Sequence, residues 1–295
     1  MSTYLVFSPH LDDAVLSCGA QIAVWTELGH HVVIATVFSE GNEAHSTQYA
    51  RRRADDENAV RALNAVPVHL GFTDAPFRNA HYHNFSTLLL HETLPPDSLE
   101  TAAAVGLRMH ALAQEVQADA LYFPLAAGGH VDHLVVFEAS KRCWADSIPV
   151  NYYQDLPYAL VPGWAAMRWQ QHGASMEYAL KMDMHPTRLQ DLSLAFLKNY
   201  MEDDADLQAS ETQHAAQVSK LSLAAAGALT WKISHHTFNR RRVCVATTYL
   251  QQKINAIRYY ATEWPVLFGP AEQDIENTLR TNVNDYTEIY WTLNR

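Results

Sequence analysis

Short apolar runs alternate with longer amphipathic segments over the first 155 residues of the chain. Short runs rich in β-branched residues predict strands, and the longer segments predict helices. The predicted strands are residues 4–8, 31–38, 66–71, 119–123 and 149–154. The predicted helices are residues 12–28, 49–64, 97–117 and 133–145. This alternation predicts an α/β fold, a Rossmann-like three-layer sandwich with a mostly parallel sheet.

The pattern weakens after residue 155, where we predict an antiparallel strand at 175–184 and a helix at 186–201. No composition break marks a linker, so we expect one domain over residues 1–295. Residues 1–155 would form its α/β core, and 156–295 a carboxyl-terminal elaboration that shapes a pocket. Residues 73–96 have no clear period and predict a long loop around a short helical insert. Whether this loop is a lid stays open.

The charge balance excludes one class of partner. The chain has 295 residues, with 21 Lys and Arg against 32 Asp and Glu, for a net charge of -11. That sign argues against binding to nucleic acid or to an anionic membrane. The sequence contains no run of about eighteen apolar residues, so we expect no membrane span. Its three cysteines are too few and too scattered for a disulfide framework. We therefore expect a cytoplasmic protein, and a homo-oligomer stays open.

Two polar clusters follow predicted strands, at residues 9–14 (PHLDDA) and 128–133 (GGHVDH). The carboxyl ends of parallel strands lie at one edge of a sheet, so the clusters are expected to converge. One His and one Asp from the first cluster and one His from the second would form a two-histidine, one-carboxylate zinc site open to water. Of the two adjacent carboxylates, one would ligate zinc and the other would serve as general base.

Both clusters resemble motifs of the LmbE-like or PIG-L-like zinc-dependent N-deacetylases, which read PHPDDE and HPDH. The resemblance implies that His10, Asp13 and His133 bind Zn²⁺, although Fe²⁺ or another divalent metal stays open. It implies that Asp12 is the general base and that His130 stabilises the oxyanion or protonates the leaving amine. Asp132 would orient a neighbouring histidine.

The resemblance also implies an activity, the removal of an N-acetyl or similar acyl group from an amino sugar or glycoconjugate. The partner would be a small N-acylated amino sugar or glycoside. Arg52 and Asp55 loosely match an Arg-x-x-Glu segment of the family, and residues 72–74 resemble its turn after the third strand. Arg52 and Asp74 are therefore the predicted substrate contacts. Alternatively, Arg52 lies on a solvated helix face with local ion pairs.

The sequence departs from the family pattern at three positions. Leu11 and Val131 replace prolines, and Ala14 replaces the Glu of the first motif. If that Glu braces a metal ligand or Arg52, another carboxylate must do so here, and Asp155 and Glu40 are the candidates.

Three other functions fit the sequence less well. A non-catalytic carbohydrate-binding relative is made conceivable by Ala14, but an intact Asp12 argues against it. A metal-dependent phosphoesterase would need more carboxylates and histidines at strand ends. A dinucleotide-dependent oxidoreductase is disfavoured because no GxGxxG loop follows the first strand.

Overall fold

The computed structural model describes residues 1–89, 91–161, 164, 165, 168, 238–280 and 286–293. Their centre is a seven-stranded sheet with the strand order β3-β2-β1-β4-β5-β7-β6. The strands are Thr3–Ser8 (β1), His31–Glu40 (β2), Val66–Thr73 (β3), Ala120–Pro124 (β4), Val150–Tyr153 (β5), Phe238–Val245 (β6) and Tyr286–Leu293 (β7). The first five strands are parallel to one another, whereas β7 runs antiparallel to its two neighbours, β5 and β6.

Helices cover both faces of this sheet. Those described are Asp13–Glu27 (α1), Ser46–Ala62 (α2), Ala75–Arg78 (α3), Phe85–Leu88 (α4), Leu99–Glu115 (α5), Val131–Ser140 (α6), Thr247–Ile257 (α7), Trp264–Phe268 (α8) and Glu272–Leu279 (α9). Short 3-10 turns occupy Glu43–His45, Ala80–His83, Pro96–Ser98, Ala127–Gly129, Lys141–Ala145 and Tyr158–Leu160. None of the helices among the described residues combines the length and apolar character needed to cross a bilayer.

Alternate side chains of the central strands pack into two separate hydrophobic cores, one on each face of the sheet. Leu5 and Phe7 of β1 pack with α5 and α6 on one face, whereas Val6 packs with α1, α2 and α7 on the other. This alternation follows from the two-residue period of a strand. A strand covered on both faces must be apolar throughout, as the buried part of β1 is.

The predicted α/β fold with a mostly parallel sheet is confirmed. The five predicted strands and four predicted helices of the first 155 residues are present, with ends shifted by a few residues. Helix α6 begins at Val131 instead of residue 133 because the side chain of His130 accepts a hydrogen bond from the Asp132 backbone and caps the helix. The predicted strand at 175–184 and helix at 186–201 lie outside the described residues.

Candidate metal centre and active site

The two motifs lie side by side because their strands are neighbours. β1 ends at Ser8 and β4 at Pro124, and the two strands pair directly in parallel. The turn after β1 leads into α1, and the loop after β4 leads into α6. Both motifs therefore occupy the carboxyl edge of the sheet, where ligand sites of open α/β sheets form.

Two glycines shape the loop before α6. Gly128 and Gly129 have φ angles of +80° and +62°, which side-chain-bearing residues rarely adopt. A Cβ on Gly129 would lie 2.3 Å from the backbone oxygen of His91. The His91 backbone N–H in turn donates to the Gly129 oxygen at 3.1 Å. This close approach anchors the loop against His91 and fixes the start of the second motif.

His10, Asp13 and His133 converge, as the sequence predicted. One ligand-type atom from each lies within 4.8 Å of those from the other two. Asp13 Oδ2 is 3.2 Å from His10 Nδ1 and 3.2 Å from His133 Nε2. All three residues are buried. One carboxylate oxygen and two ring nitrogens thus face one another in a protected site.

The outer nitrogen of each ring contacts a second carboxylate. His133 Nδ1 lies 2.6 Å from Asp155 Oδ1, and His10 Nε2 lies 3.3 Å from Asp132 Oδ2. Histidines that bind metals commonly donate their other ring N–H to such an acceptor, which fixes the tautomer and the ring orientation. The contact of Asp132 with His10 agrees with the orienting role expected for Asp132.

The residues present suit a divalent cation. His133 Nε2 is buried and makes no hydrogen bond, although it lies close to Asp13. Burial opposes a charge on His133, but Asp13 and Asp155 outweigh it and raise its pKa to about 9. The site therefore attracts a cation, and imidazole nitrogens with a carboxylate oxygen are ligands that zinc and neighbouring transition metals accept.

Asp12 lies beside this cluster with its carboxylate free. Although Asp12 is only 8% exposed, its carboxylate makes no hydrogen bond to any residue that the structure describes. Burial and the neighbouring charge of Asp13 raise the pKa of Asp12 to about 7. A carboxylate with this pKa and no other partner is suited to accept a proton from a reacting molecule.

Asp132 is held by contacts that the sequence did not predict. Its Oδ2 accepts a hydrogen bond from the Ala75 backbone at 2.8 Å, and its Oδ1 accepts one from Arg78 Nη2 at 2.6 Å. Arg78 also lies over the ring of Phe38, 5.0 Å from its centroid. The same Asp132 groups with His10 and His130 as a second set of potential ligands, but both of its oxygens already have donors.

A cavity of about 320 Å³ opens in front of these residues. Its lining includes both predicted substrate contacts, Arg52 and Asp74, together with His10, Asp12, Asp13 and His130. Asp74 accepts a 2.6 Å hydrogen bond from the Tyr49 hydroxyl, and its other oxygen lies 3.6 Å from His10 Nε2. The structure therefore brings all the predicted site residues to one edge of the sheet, with His133 and Asp132 buried behind the cavity.

The alternative interpretation of Arg52 as a solvated residue is wrong. Its side chain is only 18% exposed, and its Nε lies 2.9 Å from Glu263 Oε1. Neighbouring Arg51, at 68%, is the solvated member of that helix. Of the two carboxylates suggested as replacements for the motif Glu, Asp155 braces His133, whereas Glu40 instead pairs with Arg53 at 2.7 Å.

Comparisons with known proteins support the resemblance that the motifs indicated. A family model described as "PIG-L: GlcNAc-PI de-N-acetylase" matches residues 5–144. A 2'-N-acetylparomamine deacetylase of Streptomyces fradiae is 30% identical over 166 residues, which are 52% of this chain and 57% of that protein. The chain thus spans little more than half the length of that relative.

Two further comparisons agree. A 2'-N-acetylparomamine deacetylase of Niallia circulans is 26% identical over 208 residues, 59% of this chain and 70% of that protein. The solved structure of the zinc-inhibited form of a teicoplanin deacetylase superposes with a TM-score of 0.64 at 20% identity, covering 100% of this chain and 98% of that one. At that identity the superposition supports the fold alone.

Proposed function

We propose, from the premise that residues 5–144 match the PIG-L family, that this chain is a metal-dependent N-deacetylase acting on an acetylated amino sugar of a glycoside. The observation that carries the proposal is the geometry around Asp13. His10 and His133 each place one ring nitrogen 3.2 Å from Asp13 Oδ2, and the other ring nitrogen of each contacts a second carboxylate. The carboxylate of Asp12, which makes no hydrogen bond to a described residue, lines the same cavity.

His10, Asp13 and His133 would hold the metal. Their facing atoms are His10 Nδ1, His133 Nε2 and Asp13 Oδ2. A bound divalent ion supplies a Lewis acid for the amide carbonyl and lowers the pKa of water toward 7. The chain's own contribution is to fix the orientation of both rings, which Asp132 and Asp155 do through the outer nitrogens.

Asp12 is the proposed general base. Its carboxylate faces the cavity and is not committed to another residue that the structure describes. It would accept a proton from the attacking water and later return that proton to the departing amine. Removal of a proton at the moment of attack contributes typically about 10²–10⁴-fold in rate.

His130 is the proposed donor to the oxyanion. Its Nδ1 accepts the backbone N–H of Asp132 at 3.1 Å, so in the neutral ring the proton resides on Nε2. His130 lines the cavity, where an N–H can stabilise the negative charge that develops on the amide oxygen. Of the two roles left open for His130, this geometry favours oxyanion stabilisation.

The substrate class follows from the relatives and from the charge of the site. Both curated relatives are 2'-N-acetylparomamine deacetylases. Four carboxylates, Asp12, Asp13, Asp74 and Glu263, are among the described residues that line the cavity, and Arg52 is the one Lys or Arg among them. A glycoside that carries free ammonium groups besides its acetylated amine would be attracted to such a surface.

The proposal is tested with 2'-N-acetylparomamine and protein purified without chelator. The protein is assayed for acetate release as isolated and after incubation with Zn²⁺, Fe²⁺, Co²⁺, Mn²⁺ or Ni²⁺. Release of acetate that is abolished by a chelator and restored by one of these metals supports the proposal. Binding of the glycoside without acetate release under every condition would favour the non-catalytic relative instead.

Replacing Asp155 by Asn is expected to weaken metal binding about 10–100-fold while the chain stays folded. The change keeps the shape of the side chain but removes the negative acceptor 2.6 Å from His133 Nδ1. Metal affinity is measured by competition with a chromogenic chelator.

Asp56→Asn is the matched control for that variant. Asp56 is also buried and also pairs with a histidine, at 2.8 Å from His69 Nε2, but neither residue is in the candidate metal cluster. Equal metal affinities for both variants and the wild type would contradict the bracing role of Asp155.

A further inference from the structure

One wall of the cavity comes from a segment outside the family match. This wall consists of α8 and the turn before it, which contribute Thr262, Glu263, Val266 and Leu267. These residues lie more than a hundred positions beyond residue 144, where the family match ends. Part of the cavity is therefore built by residues outside the segment that matches the family.

Glu263 meets Arg52 at this wall. Their Oε1 and Nε atoms are 2.9 Å apart, and both side chains are largely shielded, with 15% and 18% exposed. The Arg52 guanidinium lies 5.1 Å from the ring centroid of Tyr49, and Glu263 Oε2 accepts a hydrogen bond from Thr262 at 2.7 Å. The side chain of Arg52 is thus held between α2 and the turn before α8.

The terminal nitrogens of Arg52 have no acceptor among the residues that the structure describes: none of these accepts a hydrogen bond from Nη1 or Nη2. The Nε–H of Arg52 makes no hydrogen bond to a described residue, so the contact with Glu263 is an ion pair. Because a guanidinium presents five donors in a fixed fork, this ion pair and the contact with Tyr49 set the direction of the outer donors. Because Arg52 lines the cavity, these donors are placed to meet an acceptor on a ligand.

No closer carboxylate can provide this anchorage without disturbing the site. Ala14, where the resembled motif has Glu, carries no charge and is 1% exposed. Asp12 and Asp74 also line the cavity, but Asp12 is the proposed base and Asp74 is hydrogen-bonded to Tyr49. Without Glu263, the partly buried Arg52 would be attracted to one of these two carboxylates, because burial strengthens the attraction between opposite charges.

We propose that Glu263 is a positioning residue that holds Arg52 away from Asp12 and aims its outer donors at hydroxyl oxygens of the glycoside. This inference rests on the proposed function for the identity of the ligand. The first motif has Ala14 where the family motif has Glu, so the carboxylate that positions Arg52 would come instead from Glu263. The Arg52–Glu263 pair is then a determinant of substrate affinity rather than of the chemical step.

The test is Glu263→Gln, assayed with 2'-N-acetylparomamine. We expect KM to rise at least about tenfold with kcat within about threefold, because an interaction present in both ground and transition state is lost. Arg52→Ala should raise KM similarly, and the double variant should lose no more than Arg52→Ala alone, since coupled residues are not additive. Losses that multiply in the double variant, or a fall in kcat at unchanged KM, would overturn the proposal.

Glu272→Gln is the matched control. Glu272 pairs with Arg258 at the same 2.9 Å, in the same segment, but both side chains are exposed and neither lines the cavity. It is expected to leave KM and kcat unchanged. The melting temperature and metal content of all variants identify any general loss of fold or metal.

A binding measurement separates this inference from the proposed function. The dissociation constant of the glycoside is determined by calorimetry on protein freed of metal with a chelator, in which Asp12 keeps its carboxylate, with and without Glu263→Gln. A tenfold weaker Kd supports the role of Glu263 even if the wild type releases no acetate, in which case only the proposed function fails. Equal Kd values contradict the inference even if the wild type is an active deacetylase.

Discussion

An Asp12→Asn variant is expected to bind metal as the wild type does and to lose about 10²–10⁴-fold in kcat. The amide has the shape of the carboxylate but cannot accept the proton. Because the carboxylate of Asp12 makes no hydrogen bond to the described residues, the substitution removes no side-chain contact with them. KM should change little, since the lost interaction belongs to the transition state.

The measurement pairs acetate release with metal content for the same preparations. Asp146→Asn serves as control, because Asp146 is a partly exposed carboxylate whose ion pair with His110 involves no residue that lines the cavity. An Asp12→Asn protein that retains kcat within about threefold would remove Asp12 from the role of base and direct attention to the other carboxylates of the cavity.

The parallel core could be predicted from sequence because its strands are covered on both faces. Such strands are continuous apolar runs, as in β1 and β2. The amphipathic segments between them predict helices, so strands and helices alternate along the sequence. β6 and β7 were not predicted. β6 is the outermost strand of the described sheet and contains Arg240, Arg241 and Arg242, so its sequence lacks the apolar run of a buried strand.

The candidate metal cluster could be predicted for a related reason. His10 and Asp13 lie two and five positions after the end of β1, and His133 lies nine positions after the end of β4. Neighbouring parallel strands bring the segments that follow them to one edge of the sheet. Arg78 and Glu263 carried no comparable signal. Glu263 meets a residue 211 positions earlier in the chain, and nothing local distinguishes it from any other surface Glu. Ion-pair partners this far apart in the chain are determined by tertiary packing, which cannot be read from a single sequence.

His133→Ala is expected to abolish binding of the metal and, with it, activity. The variant removes one of three proposed ligands, so metal affinity should fall by more than the roughly 100-fold that loss of a bracing carboxylate costs. A ligand that binds only the folded state raises its stability. Added metal should therefore raise the melting temperature of the wild type but not that of the variant.

His133 is fully buried, so its removal also destabilises the chain and leaves Asp155 without its ring partner. His10→Ala is the second variant, because His10 is 9% exposed and its loss should disturb packing less. His110→Ala, which removes a histidine from a partly exposed ion pair, is the control. Wild-type metal content in folded His10→Ala and His133→Ala proteins would contradict the assigned ligands, because a site that keeps its ion without them is built from other residues.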